Sequence, residues 1–243
     1  MKFASLWVGS PLPKLQQACL SSFIYYGHDL VLYVYDQSIE VPKGIIKKDA
    51  NKIMPESDIF LVENTYASFS DLFRYRMIKK TGRAWVDADI ICMSKDWNFK
   101  DNIFACLEKS IIGDFVTNAI LSLPKNSEIV DYLVYESTNF DKSKIVWNEV
   151  GPALVDRAFK KFNYMEYVYP QEIFCGISAD NFEDLWNPNK LQDILLLEGI
   201  SKSISAYNQM TTRAKKDKNN FPIGSALHYF YNKFIIDGKV ELR

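Results

Sequence analysis

The chain has 243 residues, 48% hydrophobic, 14% aromatic and 24% charged, a balance that suits one large domain with a sizeable core and excludes long-range disorder. Its 29 Lys and Arg against 30 Asp and Glu leave a formal charge of −1, so the basic excess typical of nucleic-acid binding is missing. No run of about 18 apolar residues is present to span a bilayer, and Gly9-Ser10-Pro11 arrives before any long apolar segment develops, so neither a membrane span nor a cleaved signal peptide is expected.

The first predicted element is a buried strand over residues 3–8, stopped by Gly9-Ser10-Pro11-Leu12-Pro13. Leu15, Ala18, Cys19, Ser22 and Phe23 then recur at helical spacing, and Gly27 stands where a helix ends, so a helix is expected over about residues 13–26. Residues 30–35 read as a second strand. Strand, helix, strand implies an α/β fold with a parallel sheet. Residues 37–63 carry Pro42, Gly44, Lys47, Lys48 and Pro55 and read mostly as loop, with a short element at 59–62.

Ser68 and Asp71 match a capping box, and Phe69, Leu72, Phe73, Arg76 and Met77 share one face of the helix that follows, which Gly82 ends. Asp71, Arg74, Tyr75 and Ile78 lie on its other side. Ala84-Trp85-Val86 reads as a strand running into Asp87-Ala88-Asp89 and then Ile90-Ile91-Cys92-Met93, so acidic residues interrupt an otherwise buried stretch. Further on, residues 111–122 suggest strands. Residues 152–162 suggest a helix with Pro152 in its first turn and Leu154, Val155, Ala158, Phe159 and Phe162 inward. Residues 213–220, Arg-Ala-Lys-Lys-Asp-Lys-Asn-Asn, read as a mobile surface loop. Cys19, Cys92, Cys106 and Cys175 are widely spaced without a CxxC pair and are expected to be reduced core thiols.

An Asp-x-Asp pair alone is expected about once by chance in a chain of this composition, so its context matters. Asp87 and Asp89 follow an apolar strand, where a carboxylate is costly to desolvate unless paired or holding a cation. At spacing two, both project to the same side of an extended strand and could address one divalent ion. Hard oxygen ligands suit Mg²⁺ or Mn²⁺, which commonly bind through one or two carboxylates plus substrate phosphates. Asp71 and Arg74, three residues apart on a helix, could form a fork for sugar or ribose hydroxyls. The plainer alternatives are an intrahelical ion pair for Asp71 and Arg74 and a solvated strand end for Asp87 and Asp89.

In order, Ser70-Asp71-x-x-Arg74-Tyr75 and Gly82-x-x-Trp85-x-Asp87-x-Asp89 resemble the donor-binding core of bacterial DxD-motif glycosyltransferases. The nearest likeness is to the GT32 family, which includes the initiating mannosyltransferases of yeast, with a more distant likeness to the clostridial glucosylating toxins. The opening Leu6-Trp7-Val8-Gly9-Ser10-Pro11-Leu12-Pro13 is similar to that family's first strand and loop. The resemblance covers roughly the first 95 residues and beyond them rests on Gly151-Pro152 and Leu227-His228-Tyr229. This sequence departs from the family at Arg83-Ala84, where a second glycine is usual, and at Trp85, where tyrosine is usual.

The resemblance implies a GT-A-like (Rossmann-like) mixed, mainly parallel sheet flanked by helices in a single domain. Residues 1–95 would form the nucleotide-sugar-binding core and 96–243 the acceptor-side part. It further implies a UDP-sugar or GDP-sugar donor, Mn²⁺ or Mg²⁺, and retention of anomeric configuration. Asp89 would ligate the metal directly, Asp87 would contact the ribose and help hold the metal, and His228 would complete the metal and diphosphate site. Asp71 and Arg74, with Ser70 beside them, would grip donor hydroxyls. Trp7 and Gly9 would lie near the base, and Trp85 and Ala88 beside the nucleotide.

From the residues alone, His228 is equally a satisfied core histidine, and Arg83 is either an exposed turn residue or a phosphate contact. Asn148 and Glu149, just before a predicted helix N-terminus, could touch the acceptor or simply cap the helix. The acceptor would be a glycan or lipid-linked glycan in surface polysaccharide synthesis, such as capsule or lipopolysaccharide. The enzyme would work in the cytoplasm, with residues 213–218 touching anionic lipid at the inner membrane face or closing over the donor. Two other classes fit the same residues: a non-catalytic carbohydrate- or nucleotide-binding protein, and a metal-dependent phosphotransferase, the latter weakened by the lack of a GxxxxGK[ST] loop.

Overall fold

The computed structural model describes residues 1–109, 113–142, 144–146 and 148–238. In chain order its first half runs β1 (Lys2–Trp7), α1 (Lys14–Tyr25), β2 (Asp29–Val34), β3 (Ile46–Asp49), α2 (Ala67–Thr81), β4 (Ala84–Val86) and β5 (Ile90–Cys92). The second half runs β6 (Phe104–Glu108), β7 (Phe115–Ser122), α3 (Glu128–Asn139), α4 (Pro152–Lys161), β8 (Val168–Tyr169), α5 (Gln171–Phe174), α6 (Leu191–Leu195), β9 (Ser203–Ser205), α7 (Asn208–Arg213) and α8 (Ala226–Tyr231).

Successive side chains of a strand point to opposite faces, and here both faces are apolar. Ala4, Leu6, Val31 and Tyr33 enter one core cluster, while Phe3, Leu30, Leu32 and Val34 enter a second. Each face therefore needs a helical cover. Leu20 and Phe23 of α1 close the second face, and apolar side chains of α2, α3 and α4 close the first. The near-continuous hydrophobic run of β2 is what such a doubly covered strand requires.

The main sheet has the order β3-β2-β1-β4-β7-β6-β8. Its pairs β1/β2, β1/β4, β2/β3 and β6/β8 are parallel, and β4/β7 and β6/β7 are antiparallel. This is the expected mixed, mainly parallel sheet flanked by helices in one domain. β5 and β9 form a separate antiparallel pair. From β1 the chain proceeds outward to β2 and β3 and then returns to the other side of β1 as β4. That reversal opens a crevice beyond the carboxyl ends of β1 and β4, the usual ligand position in open α/β sheets.

Several local expectations change. β3 lies in the segment read as loop, because Lys47 and Lys48 mask its strand character; it is the half-buried sheet edge, where charged side chains are common. The expected element at 59–62 reduces to a single bridge between Val62 and Thr65. Ser68 does not cap α2: Tyr66 holds the N-cap position, and Ser68 is buried inside the first turn. Gly82 closes that helix in the left-handed conformation, φ 67°, as its position suggests. The strands expected at 111–122 become β7, with residues 111 and 112 outside the described residues. Residues 213–220 are tied down, since Leu15 N donates to Lys218 O at 3.0 Å and Lys14 N to Asn219 Oδ1 at 3.0 Å.

Among the described residues no helix is long and apolar enough to cross a membrane. The four cysteines are free and buried, as expected. Beneath β6, Phe104 is fully buried with Trp97, Phe99 and Phe174 rings 5.7, 4.8 and 5.5 Å away. Replacing it with alanine opens a cavity that these large rings cannot fill. Phe104→Ala should cost about 3–5 kcal/mol in urea unfolding, with an unchanged denaturant slope.

Candidate active site

Beyond the ends of β1 and β4 lies a cleft of about 840 Å³, within the usual size range of small-molecule sites. Trp7 at the end of β1, Asp87, Ala88 and Asp89 after β4, and Ser70, Asp71 and Arg74 from the first half of α2 all line it. Residues that the sequence places on three separate elements thus converge.

Arg74 is the centre of the arrangement. It is 4% exposed, and its guanidinium lies 3.0 Å from Asp71 Oδ1 and 3.2 Å from Asp87 Oδ1. Its Nη1 donates to the Asn118 carbonyl at 2.5 Å, and its plane sits 4.9 Å over the Trp85 ring. Asn118 Nδ2 donates to Asp71 Oδ1 at 2.8 Å. The pair expected within one helix is therefore a three-charge network joining α2 to the end of β4. Trp85, expected beside the nucleotide, lines the cleft although 1% exposed; its Nε1 donates to Asp87 Oδ1 at 2.7 Å, so it orients the acid.

Asp87 and Asp89 are not on an extended strand. Ile90 N bonds back to Asp87 O at 3.1 Å, which makes the acidic segment a turn where the chain leaves the main sheet for β5. Asp89 is held from elsewhere: Asn208 N donates to its Oδ2 at 2.6 Å, and Ala206 N donates to its carbonyl at 2.8 Å. Tyr207, between them, adopts φ 47°, an uncommon backbone for a side chain of its size. Asn208 Oδ1 in turn accepts from Lys218 Nζ at 2.6 Å and Gln16 Nε2 at 3.0 Å.

The remaining expected residues divide. Asn148 lines the cleft, whereas Glu149 turns to accept from Val146 N at 3.1 Å. Gly9 is exposed in the loop beyond Trp7 and does not line the cleft. His228 is on α8, where Gly224 N donates to its Nδ1 at 3.4 Å and Asn232 Nδ2 lies 3.4 Å from its Nε2; it is not among the cleft-lining residues. Arg83 takes neither expected role: it pairs with Asp29 at 2.7 Å near the start of β4, at the opposite end of the strand from the cleft.

Gly151 supplies a reason for the Gly-Pro landmark. A Cβ there would meet Asp71 Oδ2 at 2.5 Å, and Tyr75 Oη donates to Val150 O at 2.9 Å, so the start of α4 passes directly over the buried acid. Asn118, Asn208, Tyr207 and Glu108 belong to the same region and carry no sequence signal of their own.

Burial pushes the Asp71 carboxyl up to about 6, against the opposing pull of Arg74 and Asn118. It likewise pushes Asp89 up to about 6, with the Asp87 charge adding to the effect and the Asn208 amide opposing it. Among the described residues no group of three His, Cys, Asp or Glu side chains could hold a metal. The two acids of the turn are hard oxygen donors. They fit Mn²⁺ or Mg²⁺ in the manner of an ion bound partly by protein and partly by substrate phosphate.

No family model and no curated protein matches the chain. Among solved structures, the PaToxG glycosyltransferase superposes with a TM-score of 0.51 and 14% identity, over 99% of this chain and 88% of that one. The apo WbbM bifunctional glycosyltransferase gives 0.49 and 10%, over 96% of this chain and 49% of that one. The UDP-bound glycosyltransferase domain of the YGT toxin gives 0.48 and 8%, over 97% and 93%. The PaToxG superposition together with the mixed, mainly parallel sheet makes the fold GT-A-like.

Two measurements follow from this geometry. Gly151→Ala should displace the Asp71 carboxylate and abolish ligand-induced stabilisation, while far-ultraviolet dichroism stays native. A carboxyl raised by folding stabilises at low pH, and that contribution is lost as pH rises through about 6. Asp89→Asn should therefore raise Tm by about 2–4 °C near neutrality and leave it unchanged near the ordinary carboxylate range, as read by calorimetry.

Proposed function

We propose that the chain is a metal-dependent, retaining glycosyltransferase. It moves a hexose or N-acetylhexosamine from a nucleotide sugar, UDP by default with GDP the alternative, to a glycan or lipid-linked glycan. One observation carries the reading: the Asp71-Arg74 fork and the Asp87-Asp89 turn meet in a single cleft at the sheet's reversal point. Neither an intrahelical ion pair nor a solvated strand end accounts for a guanidinium shared between α2 and β4.

Each residue then has a task. Asp71 and Arg74 offer a hydrogen-bonding fork to donor hydroxyls, and Ser70 lines the cleft beside them. Trp85 holds Asp87 in one orientation, and Asn208 does the same for Asp89, so the site is preorganised. When bound, Mn²⁺ or Mg²⁺ supplies positive charge to the departing diphosphate. Asp71 and Asp87 are engaged by Arg74, and Asp89 by Asn208. In this reading the acceptor hydroxyl attacks from the leaving-group face, with catalysis resting on positioning and electrostatics. Surface-polysaccharide synthesis in the cytoplasm, with the basic segment at 213–218 against the inner membrane face, is the setting this reading suggests.

The test is thermal unfolding against UDP, GDP and their sugars, with Mn²⁺ and with chelator. One nucleotide should raise Tm only with the metal, and Asp89→Ala should remove the shift and the associated sugar transfer. Full activity in that variant overturns the assignment of Asp89. No shift with any nucleotide overturns the donor reading.

A further inference from the structure

The carboxylates of the cleft are satisfied with one exception. Arg74 serves Asp71 and Asp87, the Asn208 amide serves Asp89, and Glu63 pairs with Arg213 at 3.7 Å. Glu108, the last residue of β6, also lines the cleft, and among the described residues its carboxylate has no ion-pair or hydrogen-bond partner. Burial pushes its carboxyl above the ordinary range, and no described charge or donor offsets this. A half-buried carboxylate without a partner costs stability in the free protein.

Across the strand pair Glu108 faces Phe115, and Phe115, Cys175 and Tyr207 line the same cleft. Tyr207 is fixed at both ends: Ser205 Oγ accepts from its amide at 3.1 Å, and its hydroxyl donates to Ile177 O at 2.9 Å. Burial raises the Tyr207 phenol most, and Cys175, Glu108, Cys106 and Asp89 add to it in that order. The residue after Tyr207 supplies the amide that holds Asp89. One turn therefore joins the acidic end of the cleft to the Glu108 wall.

An acceptor-only anion beside fixed aromatic side chains suits a ligand with several hydroxyl donors and an apolar ring face. A saccharide has both. We propose that Glu108 and Tyr207 form the acceptor subsite: the Glu108 carboxylate receives hydroxyl hydrogen bonds from a sugar ring that packs on Tyr207. The proposal deepens the glycosyltransferase reading and rests on it. Sugar hydroxyls also occur on the donor, so the test must separate the two sources.

The protein and its Glu108→Gln variant would be titrated with methyl glucoside, methyl galactoside and methyl N-acetylglucosaminide as acceptor probes. Donor binding by thermal shift and donor hydrolysis would be measured alongside. In the variant, the acceptor KM should rise about tenfold or more, the scale of a lost hydrogen bond to a charged group. Donor-induced stabilisation and donor hydrolysis should stay at the parent level. Tyr207→Ala should weaken the same acceptor without altering the metal requirement. Ligand-free Glu108→Gln should melt no lower than the parent, because it removes an uncompensated carboxylate, and this checks that the variant folds.

Equal loss of donor binding and transfer would place Glu108 in the donor site and overturn the proposal. An unchanged acceptor KM, or no binding of any glycoside by the parent, would overturn it as well. If no nucleotide stabilises the parent but a glycoside binds and the variant loses it, the transferase reading fails while the saccharide subsite stands.

Discussion

A single buried guanidinium organises this molecule's cleft. Arg74 has almost no contact with solvent, and a charge in that position is tolerated only with close partners. Its main partners are Asp71, Asp87, the Asn118 carbonyl and the face of Trp85, with longer hydrogen bonds to Ser70. Those partners come from α2, the turn after β4, β7 and β4. The electrostatic need of one side chain therefore fixes the relative placement of a helix and two strands. Loss of the guanidinium would leave the buried Asp71 and the part-exposed Asp87 without their shared counter-charge.

The fold makes this convergence possible by reversing direction at β1. Because β4 returns to the open side of β1, the ends of both strands share a crevice, and the helix between β3 and β4 must pass over it. The chain then turns at residues 87–90 and leaves the main sheet. Asp89 consequently depends on a distant amide, that of Asn208, for its orientation. Gly151 completes the enclosure by bringing α4 against Asp71 where no Cβ fits.

Stability and function pull against each other here. Asp71 and Asp89 are held where burial favours the protonated form, and no described residue compensates the charge of Glu108. Elsewhere the core is conventional, with two apolar layers around a sheet and aromatic clusters beneath β6. These unfavourable carboxylates are gathered in one cleft, the arrangement expected of a ligand site.

Much of the architecture was legible in the amino-acid sequence. The strand–helix–strand start follows from apolar periodicity, which covers both faces of β2 and one face of α1, and the chain length accommodates a single sheet. Asp71, Arg74, Asp87 and Asp89 also stood out, because charged residues within apolar elements are costly and therefore informative. Other features were not legible locally. Lys47 and Lys48 conceal an edge strand, and Ser68 matches a capping pattern that tertiary burial overrides. His228 has ligand chemistry, but α8 places it outside the cleft wall. Gln16, Asn118, Tyr207, Asn208 and Glu108 are ordinary residues until strand order and a left-handed turn bring them to the same cavity. Periodicity is a local property that a sequence carries openly. The partner of a buried charge is decided across dozens or hundreds of residues, and only the folded chain specifies it.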